Sequence, residues 1–173
     1  GEAGNDELFD GFLAFGGEGD DIFHGGITLN GGDGEDVFYG GVTISGGNGN
    51  DEIHGGTTVN GGNGFDDIYV GRFSGTIDGG DDFDTVFFSG NMRDYNIVDN
   101  ANGTYTITDT RLGSPDGSHT LTNIEAIEFA DDRRLLDFTP LVPTTWDQTV
   151  QVNANGIIGI DFVSGSINVS PTH

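Results

Sequence analysis

Short apolar segments and glycine-rich turns alternate at a fixed interval over the first half of the chain. Four segments share one pattern, GGEGDDIFH, GGDGEDVFY, GGNGNDEIH and GGNGFDDIY, and the interval between the start of each and the start of the next is constant. Degenerate copies precede and follow these four, the last after a slightly longer interval. The six copies begin at Gly1, Gly16, Gly31, Gly46, Gly61 and Gly79. A period this short cannot hold a pair of helices, so each unit is predicted to be one coil of a β-solenoid.

Each coil is predicted to hold two short strands, one in the nine-residue segment and one in the six-residue spacer (ITLN, VTIS or TTVN). Because side chains alternate between the two faces of a strand, one column of each strand points into the core. The first strands are expected to bury Leu8, Phe23, Phe38, Ile53, Ile68 and Val86. The second strands are expected to bury Ile27 and Leu29, Val42 and Ile44, Thr57 and Val59, and Ile77. The predicted fold class is therefore all-β, a parallel β-roll (β-solenoid) with 15-residue coils.

One aspartate recurs at the sixth position of every copy, as Asp6, Asp21, Asp36, Asp51, Asp66 and Asp84. Stacked coils would place these carboxylates about 5 Å apart, where they repel one another. A hard cation between successive turns reverses this effect, and carboxylates with glycine carbonyls are the oxygen ligands that calcium prefers. Six stacked turns enclose up to about five gaps, so we expect up to about five Ca²⁺ ions along this edge. The opposite edge, formed by glycine pairs, is expected to hold no metal.

The charge of the chain excludes several classes of binding partner. It has 29 acidic residues against five arginines and no lysine, a net charge of −24, and it has no cysteine. Such a chain repels nucleic acids and anionic membranes, and no apolar stretch approaches the roughly 20 residues of a membrane span. A glycine-rich linker is the alternative for this composition, but a linker has neither an aspartate in phase nor inward aliphatic columns. No EF-hand pattern is present.

The nine-residue segments match GGxGxDxUx, where U is a large apolar residue, and so resemble the repeats-in-toxin (RTX) calcium-binding β-roll family. The resemblance covers about half of the chain. It implies that each ion lies between adjacent turns, held by both aspartates and by carbonyls of the first four turn residues. The implied ligand residues, besides Asp6, are Gly16, Gly17, Glu18, Gly19 and Asp21; Gly31, Gly32, Asp33, Gly34 and Asp36; Gly46, Gly47, Asn48, Gly49 and Asp51; Gly61, Gly62, Asn63, Gly64 and Asp66; and Gly79, Gly80, Asp81, Asp82 and Asp84.

The sequence departs from the family pattern in two ways. The usual coil of the family pairs two nonapeptides and binds ions on both edges, whereas each coil here pairs a nonapeptide with a hexapeptide. The terminal repeats also carry Glu2 and Asp82 at glycine positions. We therefore expect a solenoid loaded along one edge, with altered sites at its two ends.

The remaining chain is predicted to form two further segments. Residues 88–137 contain the hairpin signal DYNIV–TYTIT and are expected to be an antiparallel β capping segment over the end of the β-roll at residues 1–87. Residues 138–173 contain QTVQVN and IIGIDFV around an expected turn at Asn155–Gly156. They are a C-terminal tail, a hairpin, the start of a further domain or part of an export signal.

The family resemblance implies export through a type I secretion channel and a location outside the cell or on its surface. The module is expected to fold when it meets calcium there and to support the secretion, folding and stability of its parent protein, with the other domains of that chain as partners. The alternative function is an accessory polysaccharide-binding or adhesion module of an extracellular polysaccharide-modifying enzyme or adhesin. A self-contained enzyme is the third alternative.

Candidate catalytic residues are few. His24 and His54 are expected to point outward beside the turn, and His119 lies near Asp116 and Ser118 without an oxyanion or nucleophile motif. We therefore expect no catalysis in this module. An outward row of Thr28, Thr43, Thr58 and Thr76 is expected to reflect strand propensity, and the alternative is a hydroxyl array for a sugar or ordered water.

Overall fold

The computed structural model of the chain describes residues 1, 3–136, 148–152 and 158–162, the last two ranges as backbone only. The chain consists of two compact units, which are Gly1–Phe138 and Thr139–His173. The second unit contains an antiparallel pair of strands, Gln148–Val152 and Ile158–Phe162. The turn expected at Asn155–Gly156 lies outside the described residues.

Two eight-stranded sheets form the first unit. The first sheet has the strand order β1 (Glu7–Phe9), β3 (Ile22–His24), β5 (Val37–Tyr39), β7 (Glu52–His54), β9 (Asp67–Tyr69), β11 (Thr85–Phe87), β15 (Ala126–Glu128) and β16 (Arg133–Leu135). The second sheet has the order β2 (Leu13–Glu18), β4 (Thr28–Asp33), β6 (Thr43–Asn48), β8 (Thr58–Asn63), β10 (Gly75–Asp81), β14 (Ser118–Thr122), β13 (Thr104–Asp109) and β12 (Tyr95–Asp99).

From β1 to β11 the chain alternates between the two sheets, and equivalent strands pair in parallel. Leu8 lies opposite Phe23, and Leu29 lies opposite Ile44, so that equivalent positions of successive coils are in register. The last coil is slightly longer than the others, yet the register is kept, because Val59 lies opposite Ile77. The predicted parallel β-solenoid with 15-residue coils is confirmed.

The core of the solenoid is a stack of single side chains from each coil. On the first sheet, Phe23, Phe38, Ile53, Ile68 and Val86 are completely buried, as predicted. The rings of Phe23 and Phe38 stack with their centroids 4.6 Å apart, which extends the contact from coil to coil. Leu8, on the edge strand β1, is only partly buried against this core.

The second sheet buries four of the seven predicted residues. Leu29, Ile44, Val59 and Ile77 are at most 3 % exposed. By contrast, Ile27 and Val42 are 45 % and 46 % exposed, and Thr57 is half-buried, so their predicted burial is wrong. The alternation of side chains between the two faces of a strand does not apply at these three positions. Each position follows a glycine pair with positive φ and precedes the first residue of the strand.

The second strand of each coil is longer than predicted, because it continues through the next glycine pair. In β4 the strand includes Gly31 and Gly32, and Gly32 pairs with Gly17 of the preceding coil. A Cβ on Gly32 would overlap the carbonyl of Gly17, and its φ of +118° lies in the region that favours glycine. The glycine pair therefore lets two extended backbones approach at the edge of the coil, and the turn itself is confined to the three residues between β4 and β5, 34–36.

The end of the solenoid is covered by residues 88–136. Strands β12 and β13 form the predicted antiparallel hairpin, and β13 and β16 pair antiparallel with β14 and β15. β14 and β15 themselves pair in parallel with β10 and β11. One more coil of the solenoid thus lies between the repeats and the antiparallel strands.

A buried polar network holds this hairpin in place. Nη2 of Arg111 lies 2.7 Å from Oδ2 of Asp109 and 2.9 Å from Oδ2 of Asp116, and it also donates to the Tyr95 hydroxyl. The Tyr95 hydroxyl donates to Asp116, whose carboxylate also accepts from the backbone N–H and the hydroxyl of Ser89. The hydrogen bond from Arg111 lowers the pKa of Asp109 to about 2. The network ties the loop after β11 to both ends of the loop between β13 and β14.

Within the part of the chain that the structure describes, no helix has the length and apolar character needed to cross a membrane.

Candidate metal site

The repeated aspartates form a continuous column along one edge of the solenoid. The backbone N–H of each of the first five aspartates donates to Oδ1 of the aspartate in the next coil. The N···Oδ1 distances are 2.7 Å for Asp6 to Asp21, 2.8 Å for Asp21 to Asp36, Asp36 to Asp51 and Asp51 to Asp66, and 2.9 Å for Asp66 to Asp84. This bond fixes the orientation of the five accepting carboxylates, because it holds one of the two oxygens of each.

The second oxygen of the five buried carboxylates has no donor among the described residues. The five buried aspartates of the column are between 0 % and 2 % exposed, and they are Asp21, Asp36, Asp51, Asp66 and Asp84. Oδ2 of each one is buried and finds no hydrogen-bond partner among the described residues. A buried polar atom in this state costs roughly 1–3 kcal/mol, and more if it is charged. Five such atoms recur at equivalent positions, so every gap offers the same buried carboxylate oxygen to a ligand.

The first glycine of each turn leaves room beside this oxygen. A Cβ on Gly31 would overlap Oδ2 of Asp36 and would lie 2.5 Å from the carbonyl oxygen of Gly46. The same relationship recurs for Gly16 and Gly61. Each gap between coils is therefore lined by a buried carboxylate oxygen and a backbone carbonyl oxygen, around a volume that only glycine keeps open.

Burial makes these carboxylates difficult to ionise without a counter-charge. It raises the pKa of Asp51 to about 8, against the opposing effect of the Asp36 N–H and with added repulsion from Asp66 and Asp36. The pKa values of Asp36 and Asp66 rise to about 6, and that of Asp84 rises to about 7, with burial as the main cause in each. A cation in the gap would lower these values by favouring the charged form.

The donors in each gap fit a hard cation. They are carboxylate and carbonyl oxygens, the ligands that Ca²⁺ takes in a flexible shell of six to eight. No group of three or more histidine, aspartate or glutamate side chains in the described ranges is placed to hold a metal by itself. A site here therefore depends on backbone carbonyls as well as on the two aspartates that flank each gap.

The third residue of each turn keeps its side chain outside the gaps between coils. Glu18, Asp33, Asn48, Asn63 and Asp81 all have exposed side chains, directed away from the buried column. Outside the gaps, Asn48 donates from Nδ2 to Oδ1 of Asp33 at 2.6 Å, and Asn63 donates to Oδ1 of Asn48 at the same distance. Their carbonyls accept from the fourth residue of the preceding coil, as in the 2.8 Å bond from Gly34 N to Asn48 O.

The terminal repeats differ from the central ones. Asp6 is partly exposed, and Glu2 lies outside the described residues. Asp82 keeps the turn conformation of the glycine that it replaces, since its φ is +81° where Gly64 has +126°. The aspartate column therefore continues through the degenerate sixth copy, with a non-glycine residue held in a left-handed conformation.

The three histidines that the structure describes lie away from this edge. His24 and His54 point outward, as predicted, in a column of stacked rings with centroids 4.4–5.5 Å apart that also contains Phe9, Tyr39, Tyr69 and Phe87. Nε2 of His119 lies 2.7 Å from the carbonyl oxygen of Asp116 and 3.3 Å from that of Gly71.

Two residues of the column were not anticipated from the sequence. The backbone N–H of Asp84 donates to Oε2 of Glu125 at 2.8 Å, and the carbonyl of Asn123 lies beside Gly79. The segment EAIEF at 125–129 matches DTVFF at 84–88 in its acidic first residue and its buried third and fifth positions. That alignment was the available signal, although the glycine turn before it is missing.

The chain matches no protein-family model, and no curated protein sequence matches it. The candidate site is therefore defined by the repeat pattern of this sequence and by the geometry of its turns.

Proposed function

We propose that the solenoid is a calcium-binding β-roll of the RTX type, which folds when Ca²⁺ binds outside the cell and so supports the secretion, folding and stability of its parent protein. The observation that carries this proposal is the row of five buried Oδ2 oxygens, each beside a backbone carbonyl and without a hydrogen-bond partner in the described ranges. The residues that would hold the ions are the flanking aspartates and the carbonyls of the glycine turns.

The electrostatics of the column support folding that depends on calcium. At neutral pH the metal-free fold must either bury several carboxylate charges or bind protons that the unfolded chain does not bind. Calcium supplies the positive charge that makes the ionised column stable. Because the gaps exist only when coils are stacked, the free energy of binding becomes free energy of folding.

A calcium titration of the full chain tests this proposal. Extracellular calcium modules bind with dissociation constants on the order of 10⁻⁴–10⁻³ M, so the titration should run from micromolar to about 10 mM. We expect far-UV circular dichroism to change from a disordered to a β spectrum as calcium is added, and chelation to reverse the change. Magnesium at equal concentration is the control. Identical spectra with and without calcium, together with no bound calcium in equilibrium dialysis, would overturn the proposal.

One observation favours accessory polysaccharide binding as a second candidate function. The outward face of the second sheet carries Thr28, Thr43, Thr58, Thr76, Thr120 and Thr106 in one register. A second column on the same face begins at Asn30 in β4 and ends in β14. Asp78 is the single charged residue of this column, and it accepts a hydrogen bond from Nδ2 of Asn123. On so acidic a protein, a face of hydroxyls and amides with one carboxylate suits a neutral glycan better than an anionic one.

A glycan titration in the presence of calcium tests this candidate. A neutral polysaccharide should bind, and alginate should bind weakly or through bridging calcium. Failure of both to bind would remove this candidate and leave calcium-dependent folding as the function.

A further inference from the structure

The coil formed by residues 118–129 lacks the nonapeptide pattern but continues both sheets in register. Leu121 lies opposite Ile77, and Ile127 lies opposite Val86. The connection between these sheets is shorter than in the repeats. Three residues, 123–125, join Thr122 to Ala126, where six residues, 79–84, join the equivalent positions of the preceding coil.

This shorter connection reproduces the contacts of a calcium turn. Asp84 N donates to Oε2 of Glu125 at 2.8 Å, just as Asp66 N donates to Oδ1 of Asp84 at 2.9 Å. The carbonyl oxygen of Asn123 occupies the place that the Gly79 carbonyl has one coil earlier, because each lies where a Cβ on the first glycine of the preceding turn would be. Asp84 is fully buried, and its Oδ2 has no hydrogen-bond partner in the described part of the chain.

There is a physical reason why a glutamate stands at position 125 and an asparagine at position 123. A turn that is three residues shorter must reach the same N–H, and glutamate extends its carboxylate one methylene further than aspartate. Asn123 has a φ of +49°, a left-handed conformation that asparagine tolerates better than most residues. Both choices keep a carboxylate and a carbonyl at the gap after the glycine turn has been lost.

We propose that Asp84, Glu125 and the carbonyl oxygen of Asn123 form a further Ca²⁺ site, between the last nonapeptide turn and the capping segment. This proposal rests on the proposed function, since it assigns the same ion to a gap that the repeat motif does not cover. It also gives the gap a distinct role. Glu125 O accepts from Leu136 N at 2.7 Å, so an ion held by Glu125 links the aspartate column to the strands that close the solenoid.

Ion counting on variants of the full chain tests the proposal. Native mass spectrometry at saturating calcium should find one ion fewer on Glu125→Gln than on the wild type, because the amide can still accept from Asp84 N but has lost its charge. The matched control is Glu128→Gln, three residues further along in β15, which should bind as many ions as the wild type. Hydrogen exchange of the amides at 118–129 should be about tenfold faster in Glu125→Gln than in the control when both are saturated with calcium.

A second measurement does not depend on the variants. In wild-type crystals grown in calcium, anomalous difference density should lie between Asp84 and Glu125 as well as between Asp21 and Asp36. Density between Asp21 and Asp36 without density between Asp84 and Glu125 would overturn this inference and leave the proposed function intact. An unchanged ion count in Glu125→Gln would do the same. A wild type that binds no calcium would overturn the proposed function itself.

Discussion

The backbone N–H of Asp36 lies 2.8 Å from Oδ1 of Asp51, one coil further along the solenoid. This bond makes Asp51 part of two gaps, because the carboxylate reaches toward the preceding coil with one oxygen while Oδ2 lies beside Gly46 and the carbonyl of Gly61. A change at one aspartate therefore affects two neighbouring sites, and the sites are expected to act together.

Replacement of Asp51 by asparagine should remove more than one ion. Asp51→Asn keeps an oxygen for the Asp36 N–H but removes the charge shared by two gaps. We expect two fewer bound ions and a rise of about tenfold in the calcium concentration at half folding, since affinity in such sites follows the number of charged ligands. Native mass spectrometry and a calcium titration by circular dichroism measure both. Glu35→Gln, an exposed carboxylate on the same edge, is the control, and an equal effect from it would point to general charge instead.

Acid should stabilise the calcium-free fold. The folded-state pKa values of Asp36, Asp66, Asp84 and Asp51 are about 6, 6, 7 and 8, all above the ordinary value of 3.8. Between pH 8 and pH 5 the folded state therefore binds more protons than the unfolded state, so the free energy of unfolding rises as the pH falls. Burial lowers the pKa of His119, which opposes this gain below pH 6.5, but four carboxylates outnumber one imidazole.

Urea unfolding in EDTA at pH 8 and pH 5 measures this dependence. The midpoint should be higher at pH 5. With calcium present the midpoint should instead be lower at pH 5 than at pH 8, because protons then compete with the ion for the same oxygens. A calcium-free chain that is less stable at pH 5 than at pH 8 would contradict the assignment of the buried column as the dominant electrostatic feature.

Two glycine substitutions separate the metal gap from backbone strain. Gly46 has a φ outside the left-handed region, but a Cβ there would overlap Oδ2 of Asp51 and the carbonyl of Gly61. Gly40 has a φ of +90° with open space around its Cβ. Gly46→Ala should therefore lose bound calcium, whereas Gly40→Ala should cost about 1 kcal/mol of stability with the ion count unchanged. Equal ion counts in the two variants would exclude the gap beside Gly46 as a binding site.

The features that could be predicted from the sequence are those that recur in each copy of the repeat. The aspartate column and the inward column of Phe23 and Ile53 recur in all six copies of the repeat, so each copy supports the others. Ile27 was misplaced because the alternation rule assumes extended backbone, whereas this residue follows two glycines with positive φ.

Other features depend on contacts that no local pattern encodes. Glu125 is joined to Asp84 across 41 residues, and its turn has no glycine to mark it. The Arg111–Asp116 ion pair likewise exists only once the hairpin has docked.

The threonine row offers a test of glycan binding. Thr43 and Thr58 lie opposite each other on the outward face of β6 and β8. The double variant Thr43→Ile and Thr58→Ile keeps β-branched residues but removes two hydroxyls and adds bulk. We expect at least about a tenfold loss of affinity for a neutral glycan, which is what two net hydrogen bonds would supply. Val37→Ile on the other sheet is the control, and isothermal titration calorimetry is the measurement. Unchanged affinity in the double variant would exclude this face.

Asp82 should be a point of stored backbone strain in the degenerate repeat. Its φ of +81° lies where the equivalent residues of the five preceding copies are glycines, with φ values of +112° to +138°. This region costs a residue with a side chain about 1–2 kcal/mol, although it costs aspartate less than most. Asp82→Gly should therefore raise the free energy of unfolding of the calcium-bound chain by about 1 kcal/mol, measured by urea unfolding. Asp82→Asn removes the charge that adds to the repulsion at Asp84 but keeps a side chain on the strained backbone. If Asp82→Asn gains as much stability as Asp82→Gly, repulsion and not strain limits this turn, whereas a gain confined to Asp82→Gly assigns the cost to the backbone.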